Sequence, residues 1–523
     1  MAETSRGSVG HVSLLGAGPG DPELITLRAL RKLRTADIVL YDALVHPTLL
    51  SHVRPGTELV FVGKRGGRAS ERQSSINARL VEAGLAGKQV VRLKGGDPYL
   101  FGRGSEEAEA LVAAGVPFDV VPGVASPMAA SAYTGISLTH RSLASSIAYV
   151  TATESVEKDE SAHDWSKLAT ATQTIVFFMG LRKLGSLMER LIEHGRAPST
   201  PAAVVSNASL PTQRTVVGTV ATIAEAARAS GIEMPALTIV GDVVTLHEAL
   251  AWYERLPLFG KRVLITRPEG QSEEMADALR EAGAEAIELP TVRIVPPSDP
   301  ALLARHVLRA GEYDWAVFTS VNGVEAFFEV ADRAGKDARL LGGVRVAAIG
   351  PATRNALARR GVRADVMPDE YRGEAVAAEI LRETPALSGR RVLIARAEVA
   401  REVLPELLRA RGAVVDVVPA YRTLAASPER FADIRARLTE GTLDVVAFTS
   451  SSTVERLVEG LGEDARVLLA RTTVAAIGPI TADTAARLGL PARVVADEYT
   501  ALGLVRALCH AHRSDGACEK AGA

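Results

Sequence analysis

The stretch VVRLKGGDPYLFGRGSEEAEAL (Val90–Leu111) gathers the residue types from which a ligand site is built. An apolar strand runs into Gly95 and Gly96, which let a ligand approach bare main chain. Asp97 then stands at the carboxyl end of that strand, the edge at which open α/β sheets bind ligands. Arg103 lies between Gly102 and Gly104, on a mobile or tightly bent loop that gives a structural arginine little to pack on. Ser105, Glu106 and Glu107 open the next helix, where first-turn acids balance the helix dipole as readily as they do chemistry. PGVASPMAASAYTGISLTHRS (Pro122–Ser142) adds a strand, a turn, a helix and a loop with His140 and Arg141. In the C-terminal half, hydroxyls collect where strands lead into helices. They are Thr319, Ser320 and Asn322 in FTSVNGV, Thr449, Ser450 and Ser451 in FTSSST, and Thr353 and Thr481 after two IGP turns. Helix N-termini at such places offer free N–H groups to carboxylates. The plainer alternative is that these Ser and Thr side chains only cap the helices.

GAGPGDP (Gly16–Pro22) follows the first strand. A dinucleotide fingerprint needs a third glycine where Asp21 stands, and Pro19 removes an N–H that a pyrophosphate would use. The turn therefore argues against a nicotinamide cofactor. Asp42, at the end of the second strand, holds the place of a ribose-binding acid and keeps that alternative in view.

These positions require strands that end in turns. HVSLL (His11–Leu15), a Gly-Pro turn, a helix through ELITLRALRKL and the strand DIVLY (Asp37–Tyr41) set the pattern. Its repetition predicts an α/β protein with mostly parallel sheets. VVRL, TIVFFM, LTIVG, RVLIT, WAVFT and VVAFT are near-continuously apolar, as strands buried on both faces are. Pro257 and Gly260 mark a boundary near Leu256–Gly260, giving domains over 1–256 and 257–511; residues 512–523 are expected to form a flexible tail. Glu154–Asp164 reads as a surface loop.

The second half repeats itself. GKRVLITRPEGQSEEMADALREAGAEAIELPTVRI returns as GRRVLIARAEVAREVLPELLRARGAVVDVVPAYRT, YDWAVFTSVNGVEAFFE as LDVVAFTSSSTVERLVE, and VAAIGPATRNALARRGV as VAAIGPITADTAARLGL. The offset is nearly constant: Gly260 to Gly389, Thr319 to Thr449, Gly350 to Gly478, Tyr371 to Tyr499. A period this long predicts duplicated lobes rather than a solenoid, each copy a small α/β unit, with a cleft between them for a small ligand. In the first copy, Ser272 is placed to cap a helix with Glu273 and Glu274 in its first turn, and Gly283 to end it.

Composition narrows the class. Among 523 residues, 47% are hydrophobic and 23% charged, a globular balance. The net charge of −2 supplies no bulk attraction to nucleic acid or anionic membrane, so neither is expected as a partner. The only cysteines, Cys509 and Cys518, cannot build a disulfide framework or a Cys-based metal site. No run approaches ~18 apolar residues and the N-terminus lacks a signal-like apolar stretch, so a cytoplasmic protein is expected.

With these residues in view, Val12 to about Leu246 resembles uroporphyrinogen-III C-methyltransferase of the tetrapyrrole methylase family. The resemblance is carried by VSLLGAGPGDPELITLRALRKL, VVRLKGGDPYLFGRG, PGVASPMAASAYTGISLTHR, TIVFFMG and PALTIVG. It implies a two-lobed methylase fold, a homodimer, and S-adenosylmethionine as methyl donor in the interlobe cleft, with no metal. Carried over by position, Pro19, Gly95, Gly96, Asp97, Leu100, Ala125, Ser126, Met179 and Ala208 hold the donor. Asp42 and Lys64 match acid/base positions, while Arg103, Glu106 and Arg141 match substrate-facing ones. Asp42 or Glu106 is then the proton acceptor; Lys64, Arg65 and Arg68 add cations for a substrate with eight carboxylates. Two departures stand out: Ala125 replaces the family's common Thr, and VTATE (Val150–Glu154) stands where a VTGH-like stretch is frequent.

Gly260 to Ala507 resembles uroporphyrinogen-III synthase through TRP, FTSVNGV, the two IGP-x-T turns and VVPAYRT. This implies a bilobal fold of two flavodoxin-like α/β lobes, one completed by the chain's return, with crossings near Val292–Val295 and Pro419–Thr423. It also implies closure of hydroxymethylbilane, with Tyr421 assisting departure of its hydroxyl and Thr319, Ser320, Asn322, Thr353, Ser450 and Thr481 meeting substrate. The combined expectation is a fused enzyme taking hydroxymethylbilane through uroporphyrinogen III to precorrin-2, for sirohaem or cobalamin. Two alternatives stay open: a noncatalytic tetrapyrrole-sensing second half, and a methyltransferase acting on RNA or protein.

Overall fold

The computed structural model describes residues 9–63, 71–152, 163–266, 272–289, 292–370, 372–425 and 428–519. Lys64, Arg65, Arg68 and most of the Glu154–Asp164 loop fall outside them. The described residues form two compact units. One runs to Lys261 and includes Leu279–Glu285 and the residues from His512; the other comprises 262–278 and 286–511. The final helix, Ala501–Glu519, continues through the segment expected to be a flexible tail.

In the first unit, β1 (His11–Gly16), β2 (Ile38–Tyr41), β3 (Glu58–Phe61), β4 (Gln89–Lys94) and β5 (Phe118–Val121) form a parallel sheet in the order β3-β2-β4-β1-β5. Side chains alternate between two cores: Val12, Leu14, Leu40 and Val90 pack on one face, Leu15, Val39, Val91 and Leu93 on the other. Double burial explains why the central strands are mostly apolar.

The second sheet corrects an expectation. It comprises β6 (Ile147–Thr151), β7 (Thr174–Phe178), β8 (Pro201–Ser206), β9 (Arg214–Thr219) and β10 (Ala236–Val240), in the order β6-β7-β10-β8-β9. Only β6 and β7 pair parallel; β10 runs antiparallel to β7 and β8, and β8 to β9. Its central strands are buried on both faces, with Phe177 and Val204 on one side and Val176 and Val205 on the other. Continuous apolarity reports that burial but not strand direction, which the connections decide. Residues 207–213 are too few for a crossover between β8 and β9.

The second unit builds two further sheets from β11 (Arg262–Ile265), β12 (Glu285–Glu288), β13 (Val292–Val295), β14 (Trp315–Phe318), β15 (Arg345–Ala348), β16 (Arg391–Ala397), β17 (Val414–Ala425), β18 (Val445–Phe448), β19 (Thr473–Ala476) and β20 (Val494–Val495). Their orders are β12-β11-β18-β19-β20 and β13-β17-β16-β14-β15. The two lobes are alike, but neither is one copy of the repeat. Each copy gives its first strands to one sheet and its later strands to the other. In both lobes the RVLI strand lies parallel to the AVF strand of the other copy, Val263 beside Val445 and Val392 beside Trp315. The same aspartate clamps each junction: Arg262 N–H donates to Asp444 Oδ2 and Arg391 N–H to Asp314 Oδ2, both at 2.8 Å. The exchange takes place where β13 and the end of β17 pair antiparallel, Val295 opposite Arg422. Ser272 differs in detail from its expected role, since its buried hydroxyl donates to the Glu288 carboxylate; Glu273 and Glu274 do open the helix.

Candidate functional site

In the first unit the glycines at the strand ends pack main chain on main chain. Gly18 and Gly96 form an isolated bridge, with Gly96 N–H donating to Gly18 O at 2.7 Å. A Cβ on Gly123 would stand 2.3 Å from Gly96 O, and one on Gly16 would stand 2.4 Å from Gly123 N. Gly96 has φ +68°, a conformation that favours glycine. The result is a cradle of bare backbone at the carboxyl ends of β1, β4 and β5. The helix Ser126–Thr134 starts beside it, its Ser126 N–H 3.8 Å from where a Gly96 Cβ would stand. Ala125, at the N-cap, makes no side-chain cap.

Asp97 organises this cradle. Its Oδ1 accepts from Tyr99 N–H (2.8 Å) and Leu100 N–H (3.2 Å), and its Oδ2 accepts from Gly123 N–H (3.1 Å). The carboxylate thereby ties the Leu100 loop to the turn before Ala125. Pro19 is brought in by its neighbours: Asp21 N–H donates to Ser209 Oγ (3.1 Å) and Tyr133 Oη donates to Asp21 Oδ2 (3.1 Å). Burial and then Asp21 push the Tyr133 phenol far above its ordinary value. Phe101 packs against Phe178 in a tilted contact, ring centroids 4.7 Å and planes 57° apart, drawing the Leu100 loop towards the Met179 turn.

Backbone strain marks the same place. Among the described residues, the non-glycine residues with positive φ are Phe101, Arg103, Met179, Asn207 and Ser209. They occupy the Leu100–Arg103 loop, the FFMG turn and both flanks of Ala208. Strain of this kind concentrates at ligand sites. Met179 is also half exposed, unusual for a large apolar side chain beside a doubly buried strand. Pro19, Gly95, Gly96, Asp97, Leu100, Ala125, Ser126, Met179 and Ala208 thus lie on loops that these contacts draw to one rim.

Beneath it lies a charge network that the sequence reading missed. Arg92 and Lys94, alternate residues of β4, are both 4% exposed. Arg92 Nε (3.1 Å), Lys94 Nζ (2.9 Å) and Gln73 Nε2 (3.1 Å) all donate to Oε1 of Glu107, which has no exposure. Arg92 Nη2 lies 3.5 Å from Asp42 Oδ2, and Leu44 N–H donates to Asp42 Oδ1. Burial first, then the Arg92 charge, lowers the Lys94 pKa, with Glu107 opposing. The signal was legible: two cations spaced by two in an apolar strand share one face.

Arg103 and Glu106 meet each other in a two-bonded fork, Nε to Oε1 at 2.8 Å and Nη2 to Oε2 at 2.7 Å. That pairing keeps Glu106 below the usual carboxylate range against a smaller opposing effect of burial. Both side chains are about half exposed. Arg141 is exposed on the His140–Ala144 turn. Lys64 is outside the described residues.

In the second unit the hydroxyl turns divide. Ser320 Oγ accepts from Gly323 N–H and caps Val321–Arg333; Ser450 forms a capping box with Thr453. Their backbones match, with φ −165° and −166°, as duplication requires. Thr353 and Thr481 are buried in their helices' first turns. Asn322 lies in the first turn of the capped helix. Thr319 and Tyr421 instead line a cavity of about 340 Å³ with Arg372, Arg396 and Arg401. Among the described residues the Tyr421 hydroxyl has no hydrogen-bond partner, and its ring packs against the Phe318–Phe328 core.

The sheets and sites define a tetrapyrrole methylase joined to a uroporphyrinogen-III synthase. Residues 11–224 match the family model described as Tetrapyrrole (Corrin/Porphyrin) Methylases, and residues 273–506 the one described as Uroporphyrinogen-III synthase HemD. The porphyrin biosynthesis protein HemD of Ruminiclostridium josui is 37% identical over 491 residues, 94% of this chain and 96% of that protein. The uroporphyrinogen-III C-methyltransferase of Bacillus subtilis is 37% identical over 353 residues, 67% of this chain and 72% of its own length. A crystal structure of uroporphyrin-III C-methyl transferase from Thermus thermophilus, complexed with S-adenyl homocysteine, is 41% identical and covers 45% of this chain and 100% of that one, with a TM-score of 0.39. The chain belongs to the porphyrin biosynthesis HemD family, as a fusion of methylase and synthase regions.

Proposed function

We propose that the chain performs two consecutive steps of tetrapyrrole synthesis. Its C-terminal half (257–511) closes hydroxymethylbilane to uroporphyrinogen III with inversion of ring D and loss of water. Its N-terminal half (1–256) methylates that product twice to precorrin-2, for the sirohaem or cobalamin branch. The reading includes a cytoplasmic homodimer paired through the N-terminal half. The observation that carries it is the backbone cradle of Gly16, Gly96 and Gly123, tied by Asp97 and rimmed by strained Met179 and the Ala208 turn. Such a cradle suits a donor that lies flat against main chain.

S-adenosylmethionine, when bound, supplies an electrophilic methyl group. Pro19, Gly95, Gly96, Asp97, Leu100, Ala125, Ser126, Met179 and Ala208 would hold it. The protein's part is alignment: the pyrrole carbon must face the methyl group in line. Arg103 and Arg141 grip substrate carboxylates, Arg103 exchanging the Glu106 fork for a substrate fork of the same geometry. Glu106, held well ionised, is the weaker proton acceptor. Asp42, kept in place by Arg92, or Glu106 takes the proton lost as the macrocycle rearranges, with Lys64 as donor. In the second half, the unpartnered Tyr421 phenol assists hydroxyl departure while the lobe keeps the bilane folded.

The test supplies purified full-length protein with hydroxymethylbilane, without and then with S-adenosylmethionine. Type III product alone, then a dimethylated chlorin-like product, is expected. Only the spontaneous type I isomer would remove the synthase step and leave a binding module; unmethylated uroporphyrinogen III would remove the methyltransferase step.

A further inference from the structure

Arg396 is a buried cation in an apolar strand, and its bonding is incomplete. It lies in RVLIARA of β16, 6% exposed, and lines the cavity that holds Tyr421 and Thr319. Its Nη1 donates to the Arg401 carbonyl at 2.7 Å and its Nη2 to the Glu402 carboxylate. Its Nε is buried and has no acceptor among the described residues. A buried donor left unsatisfied is costly, so a fold that retains one beside a cavity has an acceptor to come.

The surroundings give that acceptor a sign. Arg372 and Arg401 line the same cavity, against one lining carboxylate, Glu374. Arg372 pairs with Glu370, whereas the exposed Arg401 guanidinium has no partner among the described residues. Glu402, which occupies Nη2, is itself 53% exposed at its side chain, while Arg396 is 7% exposed. Glu402 therefore fills half of a fork whose other half is empty, and it can turn away to solvent. A carboxylate entering the cavity would take Nε and Nη2 together, the two-bonded geometry that arginine favours. Tyr421 lines the same cavity, so an anion held on Arg396 shares that cavity with the phenol.

We propose that Arg396 is a substrate-binding residue of the C-terminal half. Its Nε–Nη2 edge takes one carboxylate arm of the linear tetrapyrrole, displaces Glu402, and so sets the bilane against Tyr421. This rests on the reading that the half acts on hydroxymethylbilane.

The test measures steady-state formation of the type III isomer by the full-length protein and its R396Q, R396K and E402Q variants, with a thermal melt of each. Wild-type protein is assayed first; type I product alone from it overturns the functional reading and this proposal with it. With type III product established, R396Q is expected to raise KM for hydroxymethylbilane at least tenfold and to let type I product accumulate. R396K, which keeps the charge but loses the two-pronged edge, should show the same change in smaller degree. E402Q should leave KM unchanged or lower it, because it removes only the competitor. A role confined to the Arg396–Glu402 ion pair predicts the opposite: equal losses, with equal drops in melting temperature, from either side. Unchanged KM and isomer ratio in R396K, or a KM raised as much by E402Q as by R396K, overturns the proposal, including when R396Q does not fold.

Discussion

Lys94 Nζ on β4 and Glu107 Oε1 on the helix Gly104–Ala113 lie 2.9 Å apart, and Arg92 reaches the same oxygen from the next position on that strand face. Two cations thus share one carboxylate oxygen, and Oε2 has no partner among the described residues. Asp42 completes the balance as the second acid. The network fixes the candidate proton acceptor to the strand that carries the glycine cradle.

Removing Glu107 leaves Arg92 and Lys94 buried without an anion. Glu107→Gln should cost about 3–5 kcal/mol, the usual penalty for breaking a buried pair from one side. Urea unfolding of the full chain checks this. A midpoint within error of the wild type would mean that water or other groups already carry those charges.

Asp97 accepts three backbone N–H groups, so its substitution acts on loop shape as well as on any direct contact. Asp97→Asn keeps one acceptor oxygen and should weaken S-adenosylhomocysteine binding roughly tenfold; Asp97→Ala should weaken it about a hundredfold. Calorimetric titration distinguishes them, and equal affinities for both variants and wild type would contradict the assigned role.

The cradle leaves no room for a methyl group. Gly123→Ala places a carbon 2.3 Å from Gly96 O, where only backbone can move aside. We expect loss of donor binding and at least about 2 kcal/mol of destabilisation. By contrast Gly115→Ala, where nothing lies within 4 Å, should leave binding intact despite its φ of +68°.

Tyr133 gives a pH signature. Its phenol ionises well above the ordinary value near 10 in the folded chain, because burial and Asp21 disfavour the phenolate. Below about pH 10 both states hold the proton and the contribution is whole; above it the unfolded chain ionises first and stability falls. Tyr133→Phe should flatten that alkaline decline. Unfolding midpoints between pH 8 and 11 provide the comparison.

Much of this was legible in the residues. Gly95, Gly96 and Asp97 stand at a strand end because a parallel sheet opens there, and the periodicity of VVRLKGGDP says so. The antiparallel course of β8, β9 and β10 was not legible, since apolar runs report burial alone. Arg92 and Lys94 sit in an otherwise apolar strand, where only their spacing by two, which puts both on one face, announces the network. Arg396 was hidden similarly inside RVLIARA. Ser320 and Ser450 show another case, hydroxyls for which the sequence left a cap and a ligand contact both open and whose cap is visible in the structure. Distances such as Arg103 to Glu106 follow from a left-handed turn at Arg103 that no residue pattern announces.

The crossed repeats bear on how the second unit is made. Arg262 waits for Asp444, 182 residues later, whereas Arg391 finds Asp314 across only 77. On the ribosome the middle lobe can therefore close while the outer one still lacks three of its five strands, and long-range pairing of that kind is slow. A nascent chain stopped after the first copy would own two unfinished sheets and no finished lobe. The duplicated segments are thus interdependent in folding, and neither can be shed without dismantling both.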